Sequence, residues 1–417
     1  MRAVILAIGD ELTLGQSVDT NSAWLSARLV ECGVLTAWHK TVADDQTAIA
    51  EAVREAADRA ELVILTGGLG PTPDDLTRPA LGLVLGVSLR LHRPSLARIE
   101  GFFRRINRPM PAVNRVQALC PAGARMLTNE CGTAPGLAAR VGGAEVYALP
   151  GVPGEMRAMF ARHIAPALRG GRAVLARVIH TFGAGESAVA ELLGELMRRD
   201  RNPLVGTTVA QGVVSVRVRS EFATRRQARA ALDATVREIA ARLGALAFGA
   251  GADTLAAVVG RLLRERGQTL AVAESCTGGL AAKLLTDVPG ASDYFRGGWV
   301  VYANALKIGE LRVPAEVLEH DGAVSERAAC RMAAGALRQA RSDFALALTG
   351  VAGPGGGTPR KPVGTVWIGL ARRAGRAPRA SAQRFRFPGE RAAVRERAAH
   401  TALNLLRLEL LKAPASG

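Results

Sequence analysis

Apolar runs of strand length alternate with amphipathic segments of helical length through the first 168 residues. Val4–Ile8 and Leu62–Thr66 are nearly continuous apolar runs, which predicts two strands buried on both faces. Ser22–Glu31 and Gln46–Arg59 carry apolar residues at helical spacing, which predicts two helices. This alternation is typical of a parallel α/β sheet.

Three loops rich in glycine or acidic residues follow predicted strands of this first segment. They are Gly9–Glu11, Gly67–Asp75 and Leu149–Glu155. Ligands of open α/β sheets bind beyond the carboxyl ends of the strands. We therefore expect the three loops to share one end of the sheet and to form a binding site.

The segment 172–250 has a different pattern, with strands predicted at Val174–Phe182, Val213–Phe222 and Leu246–Gly249. Helices are predicted at Glu186–Arg198 and Arg225–Leu243. This order fits a small α+β domain without a catalytic cluster, so a linker or dimerisation role is expected.

The segment 253–414 returns to alternating helices and strands, which predicts a second α/β domain. The chain is therefore expected to hold three domains, at 1–168, 172–250 and 253–414. The elements predicted in the third are Thr254–Arg266, Thr269–Ala273, Trp299–Tyr302, Ser325–Arg341, Phe344–Leu348, Val363–Leu370, Arg384–Phe387 and Arg391–Leu411.

Composition limits the class of protein. No apolar run approaches the ~20 residues that cross a bilayer and no secretory leader opens the chain, which predicts a cytoplasmic protein. The five scattered cysteines lack CxxC spacing, so neither disulfides nor a structural zinc site is expected. The net charge of +17 is spread along the chain with few aromatic residues, which argues against nucleic-acid binding and favours a small phosphate-bearing ligand. The densest basic stretch, Arg372–Arg379, is predicted to be a hairpin connection.

The turn Glu274–Gly279 joins a predicted strand to a predicted helix and carries Ser275. Such a turn can direct backbone N–H groups at a phosphate or an oxyanion. The alternative is an ordinary helix start with Ser275 or Thr277 as N-cap. The sequence alone leaves both interpretations open.

Serine needs a base or a charged partner to act as a nucleophile. His320 and His400 are each expected to be a solvated or a core histidine, whereas Tyr302 and Lys307 follow a predicted strand end. Lysine acts as a base near neutral pH only if burial depresses its pKa by roughly three units, about 4 kcal/mol. An exposed Lys307 would serve only as a cation. The neighbouring thiol of Cys276 is the competing nucleophile, and we expect it to be buried instead.

Six motifs of the third domain resemble, in the same order, the C-terminal domain of the CinA (competence/damage-inducible protein A) family. They are Ala273–Gly279, Tyr302–Lys307, Gly322–Glu326, Thr349–Pro354, Lys361–Val366 and Pro388–Arg391. The resemblance implies an amidase that converts nicotinamide mononucleotide to nicotinic acid mononucleotide and ammonia without a metal or cofactor. It implies Ser275, Tyr302 and Lys307 as catalytic residues, and a substrate-contacting set of Thr277, Gly278, Gly279, Thr349, Gly350, Gly353 and Arg391. Arg391 is the residue expected at the phosphate, although Glu390 is equally placed to pair with it.

The loops of the first domain carry Asp10, Asp19, Asp74, Asp75 and Glu155. Divalent cations such as Mg²⁺ prefer carboxylates together with phosphate oxygens, and glycine loops donate N–H groups to a pyrophosphate. The alternative role for the aspartates is helix capping. The two roles are compatible.

These loops resemble the molybdopterin-binding (MoaB/MogA-like) domain that opens full-length CinA proteins. The resemblance implies a parallel-sheet domain and an ADP-ribose pyrophosphatase that uses a divalent metal (Mg, Mn or Co). Pro73-Asp74-Asp75 departs from the Arg-Asp of the cofactor-binding relatives, which argues against molybdopterin. The implied nucleotide site comprises Asp10, Asp19, Asn21, Thr66, Gly67, Gly68, Gly70, Asp74, Asp75 and Glu155, with Asp75 and Glu155 as metal ligands.

The complete expectation is an α/β homodimer that recycles pyridine nucleotides at two sites, binding nicotinamide mononucleotide and ADP-ribose. Two alternatives remain open. One is a nucleotide-sensing or competence and DNA-repair accessory protein without turnover. The other is an enzyme in which only the third domain is active.

Overall fold

The computed structural model describes residues 1–168, 171–375 and 377–412. Residues 413 and 414 of the predicted third domain and Arg376 of the predicted hairpin lie outside the described residues. The chain forms two compact units, one of residues 1–175 with 220–232, the other of residues 176–219 with 233–417. Within the described residues, no helix is long and apolar enough to span a bilayer.

The first unit is built on a six-stranded sheet of order β2-β1-β3-β8-β7-β6. Strands β2, β1, β3 and β8 are parallel, whereas β7 and β6 add an antiparallel edge. Alternate residues of each central strand enter separate cores, so that Val4 and Leu6 pack on one face while Ala3 and Ile5 pack on the other. Burial on both faces explains the continuous apolar runs of these strands.

The strands of the first unit are β1 (Arg2–Ile8), β2 (Leu35–Val42), β3 (Leu62–Thr66), β4 (Leu89–Leu91), β5 (Leu119–Pro121), β6 (Arg125–Leu127), β7 (Gly136–Val141) and β8 (Ala144–Leu149). Its helices are α1 (Asp10–Thr13), α2 (Thr20–Glu31), α3 (Gln46–Arg59), α4 (Thr77–Leu85), α5 (Arg93–Arg105) and α6 (Pro153–Met159). Short 3₁₀ and π turns cover Ala112–Ala118, Phe160–Ile164 and Ala165–Ala167.

The middle segment holds a four-stranded sheet of order β10-β11-β9-β12. Its elements are β9 (Ala173–Phe182), α7 (Glu186–Leu193), β10 (Leu204–Ala210), β11 (Val213–Phe222), α8 (Arg225–Leu243) and β12 (Ala247–Ala250). Helix α7 ends five residues before the predicted Arg198, because Gly194 takes a positive φ of 53° and a 3₁₀ turn, Gly194–Met197, follows. Strand β10, whose last three residues are exposed, is absent from the sequence prediction.

The C-terminal part of the second unit is a five-stranded sheet of order β14-β13-β15-β16-β17. Strands β14, β13 and β15 are parallel, and β16 and β17 are antiparallel. Val272 packs with α9 and α14 on one face, and Ala271 packs with α13 on the other. The pairing of Arg372 with Arg379 confirms the predicted hairpin.

The elements of this part are α9 (Leu255–Glu265), β13 (Leu270–Glu274), α10 (Leu280–Thr286), β14 (Phe295–Val300), α11 (Asn304–Leu311), α12 (Ala315–His320), α13 (Glu326–Ala340), β15 (Phe344–Gly350), β16 (Thr365–Arg372), β17 (Arg379–Arg386) and α14 (Arg391–Lys412). The predicted strand Trp299–Tyr302 is wrong at both ends. The strand begins four residues earlier, where Gly297 and Gly298 hide its apolar pattern, and it ends before Tyr302.

Candidate functional sites

The predicted catalytic residues of the third domain follow the carboxyl ends of two adjacent parallel strands, β13 and β14. Ser275 follows β13, and its backbone N–H donates to the carbonyl of Leu348 in β15 at 2.9 Å. The N–H of Val301, just past β14, donates to the carbonyl of Glu274 at 2.8 Å. Tyr302 and Lys307 follow directly. The fold therefore brings the three predicted residues to one edge of the sheet.

The start of helix α10 is occupied by a carboxylate of the protein itself. Glu274 is 1% exposed and accepts hydrogen bonds from the N–H groups of Gly279, Ala281 and Ala282 at 3.0, 3.1 and 2.8 Å. The N-cap is Gly279, with a φ of 93°, and neither Ser275 nor Thr277 caps the helix. The interpretation of Ser275 or Thr277 as N-cap was therefore wrong, and the N–H groups of Gly279, Ala281 and Ala282 are occupied by Glu274.

Ser275 and Cys276 differ sharply in their surroundings. Cys276 is buried, and burial raises the pKa of its thiol to about 12, so little thiolate exists at neutral pH. Ser275 is partly exposed. The expectation that Cys276 is packed and Ser275 accessible is confirmed.

Lys307 is 1% exposed although it carries an ammonium group. Its Nζ donates to the carbonyls of Val301 and Tyr302 at 2.9 and 3.0 Å. No carboxylate forms an ion pair with it among the described residues. Burial lowers the pKa of Lys307, a shift that the nearby Cys276 partly opposes. Lys307 is therefore buried rather than exposed, which is the condition under which a lysine can act as a base.

Two arginines of α14 connect the strand-end loops. Arg391 donates to the Gly353 carbonyl at 2.7 Å and to the Tyr302 hydroxyl at 3.3 Å. Arg395, one turn later, donates through Nη2 to the Thr277 carbonyl at 2.8 Å. Glu390 does not pair with Arg391 within the described part of the chain. Sequence reasoning missed Arg395, although its i+4 spacing from Arg391 places both on one helix face.

The predicted substrate-contacting residues divide by exposure. Thr277 and Thr349 are buried, and the Thr349 hydroxyl donates to the Ala323 carbonyl at 2.7 Å. The Thr277 hydroxyl is buried without a hydrogen-bond partner. Gly353 is also buried. The residues that reach the surface are Gly278, Gly279, Gly350 and Arg391. The histidines stay apart from this set, because His320 is exposed and His400 packs against Phe182.

The loops of the first domain meet at one end of their sheet, as predicted. The Asn21 amide donates to the Thr66 hydroxyl at 3.0 Å and to the Gly151 carbonyl at 2.7 Å. Asp19 caps α2 by accepting from the Ser22 N–H at 2.9 Å. These residues line a cavity of about 180 Å³. The Asn21 Oδ1 atom is buried without a partner.

A neighbouring cavity of about 440 Å³ lies against the glycine loop. Gly67 takes a φ of 110°, and a side chain there would collide with the carbonyl of Ile8. Only glycine lets the loop approach strand β1 so closely. The predicted residues that line this cavity are Gly67, Gly68, Gly70, Asp74, Asp75 and Glu155.

The two predicted metal ligands already accept hydrogen bonds. Asp75 accepts from the N–H groups of Gly70 and Thr72 at 2.6 and 2.8 Å and from the Thr72 hydroxyl at 2.5 Å, so it shapes the loop instead of capping α4. Glu155 accepts from the Asn129 amide at 2.5 Å. No group of three His, Cys, Asp or Glu side chains in the described chain is arranged to hold a metal alone. Both residues line the same cavity, and Mg²⁺ commonly takes one or two carboxylates and completes its shell with waters and phosphate oxygens.

Sequence reasoning placed Asp10 in the site and missed its partner Asp44. The backbone N–H of each residue donates to the carboxylate of the other, at 2.9 and 3.1 Å. Burial raises the pKa of Asp44, the Asp10 N–H lowers it, and the carboxylates of Asp10, Asp74 and Glu11 raise it further, with a net increase. Asp44 and Glu11 line the larger cavity, whereas Asp10 does not. Asp44 follows β2, which the sequence did not reveal because only its last residue is buried.

Arg78 is a second residue that the sequence did not single out. It is 3% exposed and donates to the carbonyls of Leu69 and Pro135 at 2.7 and 3.1 Å. Burial lowers its pKa to about 10, although Asp75 opposes the shift. The guanidinium therefore fixes the back of the glycine loop from inside the domain.

The fold defines a multidomain α/β protein. One domain has a cavity lined by carboxylates and a glycine loop, and another has a serine, a tyrosine and a lysine at the end of its sheet. Family models match residues 4–170 as a probable molybdopterin binding domain, 176–249 as the damage-inducible protein CinA KH domain and 252–410 as the CinA C-terminal domain. The chain belongs to the CinA family of competence-damage inducible proteins.

Relatives match along the whole chain. A "Putative competence-damage inducible protein" of Symbiobacterium thermophilum is 44% identical over 423 residues, covering 99% of each chain. A "CinA-like protein" of Synechococcus sp. is 43% identical over 414 residues, covering 97% of this chain and 98% of the relative. A crystal structure of the competence/damage inducible protein CihA from Agrobacterium tumefaciens is 39% identical, covering 38% of this chain and 93% of that one, with a TM-score of 0.36.

Proposed function

We propose that the third domain hydrolyses the carboxamide of nicotinamide mononucleotide to nicotinic acid mononucleotide and ammonia. The observation that carries the proposal is Lys307, a buried lysine that has no carboxylate partner among the described residues, at the same sheet edge as the partly exposed Ser275. A lysine with a lowered pKa can accept the proton that serine must lose. The buried thiol of Cys276 leaves Ser275 as the nucleophile.

The proposed reaction has two steps, formation of an ester on Ser275 and hydrolysis of that ester. Ser275 Oγ attacks the carboxamide carbon while its proton passes to the neutral amine of Lys307, directly or through the Tyr302 hydroxyl. The C–N bond breaks, the nitrogen takes the proton and ammonia leaves, which forms an ester on Ser275. Water then attacks the ester, releases the carboxylic acid and restores the serine hydroxyl. No metal or cofactor enters these steps.

Arg391 is proposed to hold the substrate phosphate. Its guanidinium lies at the surface between Tyr302 and the Gly353 loop, and guanidinium groups bind phosphate through two parallel N–H bonds. Gly278, Gly279 and Gly350 are proposed to give the substrate close access to the backbone. The buried Thr277 and Thr349 are proposed to support these loops from behind.

Ammonia release from nicotinamide mononucleotide tests the assignment. Ser275→Ala is expected to abolish it, while Ser292→Ala, at an exposed serine of a 3₁₀ turn in the same domain, is the matched control and should retain full activity. Ammonia release by Ser275→Ala at the rate of the unaltered protein would refute the mechanism. Absence of turnover in the unaltered protein, with retained nucleotide binding, would support the nucleotide-sensing alternative instead.

For the first domain we propose hydrolysis of ADP-ribose with a divalent metal (Mg, Mn or Co). The support is the cavity of about 440 Å³, whose glycine loop and carboxylates suit a pyrophosphate and a cation together. Asp75 and Glu155 are the proposed metal ligands, and the metal would neutralise phosphate charge when bound. Asp19, Asn21 and Thr66 are proposed to join the three loops into one site. AMP release from ADP-ribose that depends on added metal and stops with a chelator is the expected result.

We also propose that the protein is a cytoplasmic homodimer that assembles through the middle segment. Strand β10 forms one edge of that sheet and carries an exposed Val209, and edge strands pair readily with a second copy. Light scattering should give twice the mass of one chain, and Val209→Lys should shift the protein towards monomer. A monomer at micromolar concentration would contradict this assembly.

A further inference from the structure

The turn that carries Ser275 is bound by charged side chains at both its amide and its carbonyl groups. Glu274 accepts hydrogen bonds from the first N–H groups of helix α10. On the carbonyl side, Arg395 donates to the Thr277 oxygen from Nε at 3.3 Å and from Nη2 at 2.8 Å. The Leu280 N–H donates to the same oxygen at 3.3 Å. The Thr277 carbonyl is therefore fixed by three N–H groups, two of which belong to one guanidinium.

The guanidinium of Arg395 lies directly against the backbone of this turn. A side chain at Gly278 would place its Cβ atom 3.4 Å from Arg395 Nη2, and Gly278 takes a φ of 59°. Thr277 is fully buried. Without Arg395, its carbonyl would retain only the long hydrogen bond from Leu280, and the turn would move to satisfy it.

The position of Ser275 depends on the Thr277–Gly278 peptide. The Gly278 N–H donates to the Ser275 carbonyl at 3.1 Å, so a shift of that peptide is passed to the serine. On its other side, the Ser275 N–H donates to the Leu348 carbonyl of β15 at 2.9 Å. Misplacement of a reacting group by about 1 Å can lower a rate by about 10²-fold. A residue that fixes this turn therefore controls how well Ser275 is aimed.

Arg395 also brings positive charge to the turn. No carboxylate forms an ion pair with it in the described part of the chain. Burial raises the pKa of the Cys276 thiol, Glu274 raises this pKa further, and Arg395 lowers it. Arg395 thus offsets part of the negative charge that Glu274 places beside Ser275, where a negative charge develops on the substrate oxygen in the proposed reaction.

We propose that Arg395 is a positioning residue of the third domain, which orients Ser275 by holding the Thr277 carbonyl. It acts through the turn rather than by contact with the substrate. This inference deepens the proposed amide hydrolysis and rests on it for the identity of the substrate.

The first test is steady-state ammonia release from nicotinamide mononucleotide. Arg395→Met keeps the length of the side chain but removes its donors, so kcat should fall by roughly 10–100-fold with little change in KM. Arg395→Lys keeps the charge and one donor group and should recover part of this loss. Guanidinium ion at millimolar concentration should raise the kcat of Arg395→Ala. Arg397→Met is the matched control, because Arg397 donates to the Pro388 carbonyl from the same helix.

A second test measures the reactivity of Ser275 without nicotinamide mononucleotide. A serine-reactive fluorophosphonate forms a bond between Ser275 Oγ and phosphorus while the P–F bond breaks, fluoride leaves and the serine proton passes to Lys307. Intact-mass spectrometry follows the adduct, which Ser275→Ala should not form. The rate of labelling should fall in Arg395→Met by about the same factor as kcat, and it should not change in Arg397→Met.

The outcomes separate the positioning role from the proposed activity. Slower labelling in Arg395→Met supports the role even if the unaltered protein releases no ammonia, in which case only the substrate assignment falls. Unchanged labelling and kcat in Arg395→Met overturn the role and leave the proposed activity standing. A higher KM with unchanged kcat also overturns it, because Arg395 would then bind substrate. Absence of both labelling and ammonia release in the unaltered protein overturns both.

Circular dichroism and urea denaturation show whether each variant is folded. If Arg395→Met fails to fold, Arg395→Lys decides the question. Slower labelling in Arg395→Lys than in the unaltered protein supports the positioning role, and an equal rate overturns it.

Discussion

The carboxylate of Glu274 accepts a 2.8 Å hydrogen bond from the backbone N–H of Ala282, in the first turn of helix α10. Two further N–H groups, of Gly279 and Ala281, donate to the same carboxylate. The positive end of the helix is thereby neutralised inside the protein, one residue before Ser275. Glu274 thereby ties the turn that carries the proposed nucleophile to the start of α10.

Replacing this carboxylate should destabilise the third domain. Glu274→Gln retains one acceptor oxygen and brings an NH₂ group towards backbone donors, so we expect a loss of about 1–3 kcal/mol in the free energy of unfolding. Urea denaturation followed by tryptophan fluorescence measures it. Glu265→Gln, at an exposed glutamate on α9, should change stability little. Equal stability of Glu274→Gln and the unaltered protein would show that the three hydrogen bonds contribute nothing.

Lys307 gives a prediction for the pH dependence of ammonia release. Because burial lowers its pKa, the neutral amine appears at a lower pH than the ordinary value of ~10.4, and activity should rise with pH through that depressed pKa. Lys307→Arg keeps the charge but removes the base, so kcat should fall by about 10²–10⁴-fold. Steady-state rates between pH 6 and 10 provide the measurement. Substantial activity in Lys307→Arg would mean that Lys307 acts only as a cation.

The same lowered pKa predicts how stability changes with pH. Between the folded and unfolded pKa values of Lys307, the unfolded chain binds a proton that the folded chain lacks, so the free energy of unfolding rises with pH in that window. Lys307→Met removes this contribution. The stability of the unaltered protein should therefore increase relative to the variant as pH rises towards ~10.4. Denaturation at several pH values tests this, with Lys283→Met, at an exposed lysine of α10, as the control. A stability difference that is constant with pH would contradict the assignment.

The elements that sequence predicted well are those whose burial is uniform. The runs Val4–Ile8 and Phe344–Leu348 are covered on both faces, so nearly every residue is apolar. Strand β2 was missed because only its last residue, Val42, is buried. The start of β14 was missed because Gly297 and Gly298 interrupt its apolar pattern. A local pattern carries little signal where a strand lies at the sheet edge.

The sequence predicted the site residues that directly follow strand ends. It did not predict contacts that a side chain makes with residues of another element. Ser275 and Lys307 follow two adjacent strands of one sheet, so parallel topology places them at the same sheet edge. The glycine loop at Gly67 follows β3 and lies at the edge of its own sheet in the first unit. Glu274 is also next to Ser275, but nothing in the sequence shows that its carboxylate folds over α10. Arg395 contacts a residue 118 positions away, which only the tertiary structure reveals.

Arg391 provides a test of how the phosphate is held. Arg391→Lys removes the planar guanidinium, which contacts the Gly353 carbonyl and Tyr302 and is proposed to bind the phosphate. KM for nicotinamide mononucleotide should therefore rise by about tenfold or more, with a smaller change in kcat. Arg397→Lys, which alters a contact of the same helix with the Pro388 carbonyl, is the control. Nicotinamide riboside, which lacks the phosphate, should be turned over equally by Arg391→Lys and the unaltered protein. A KM increase of the same size for the riboside would assign Arg391 to loop positioning only.

Asp75 links the shape of the glycine loop to the activity proposed for the first domain. Its two carboxylate oxygens accept three hydrogen bonds, from Gly70 and Thr72, and Asp75→Asn offers only one acceptor oxygen. AMP release from ADP-ribose should fall by at least about tenfold, because both the loop and the proposed metal contact are weakened. Ammonia release by the third domain should not change. Asp58→Asn, at an exposed aspartate of α3, is the matched control and should alter neither activity.

If raising the metal concentration restores Asp75→Asn to full rate, the residue acts mainly as a ligand; if it does not, Asp75 acts mainly by fixing the loop. An unchanged rate at every metal concentration would remove Asp75 from the site.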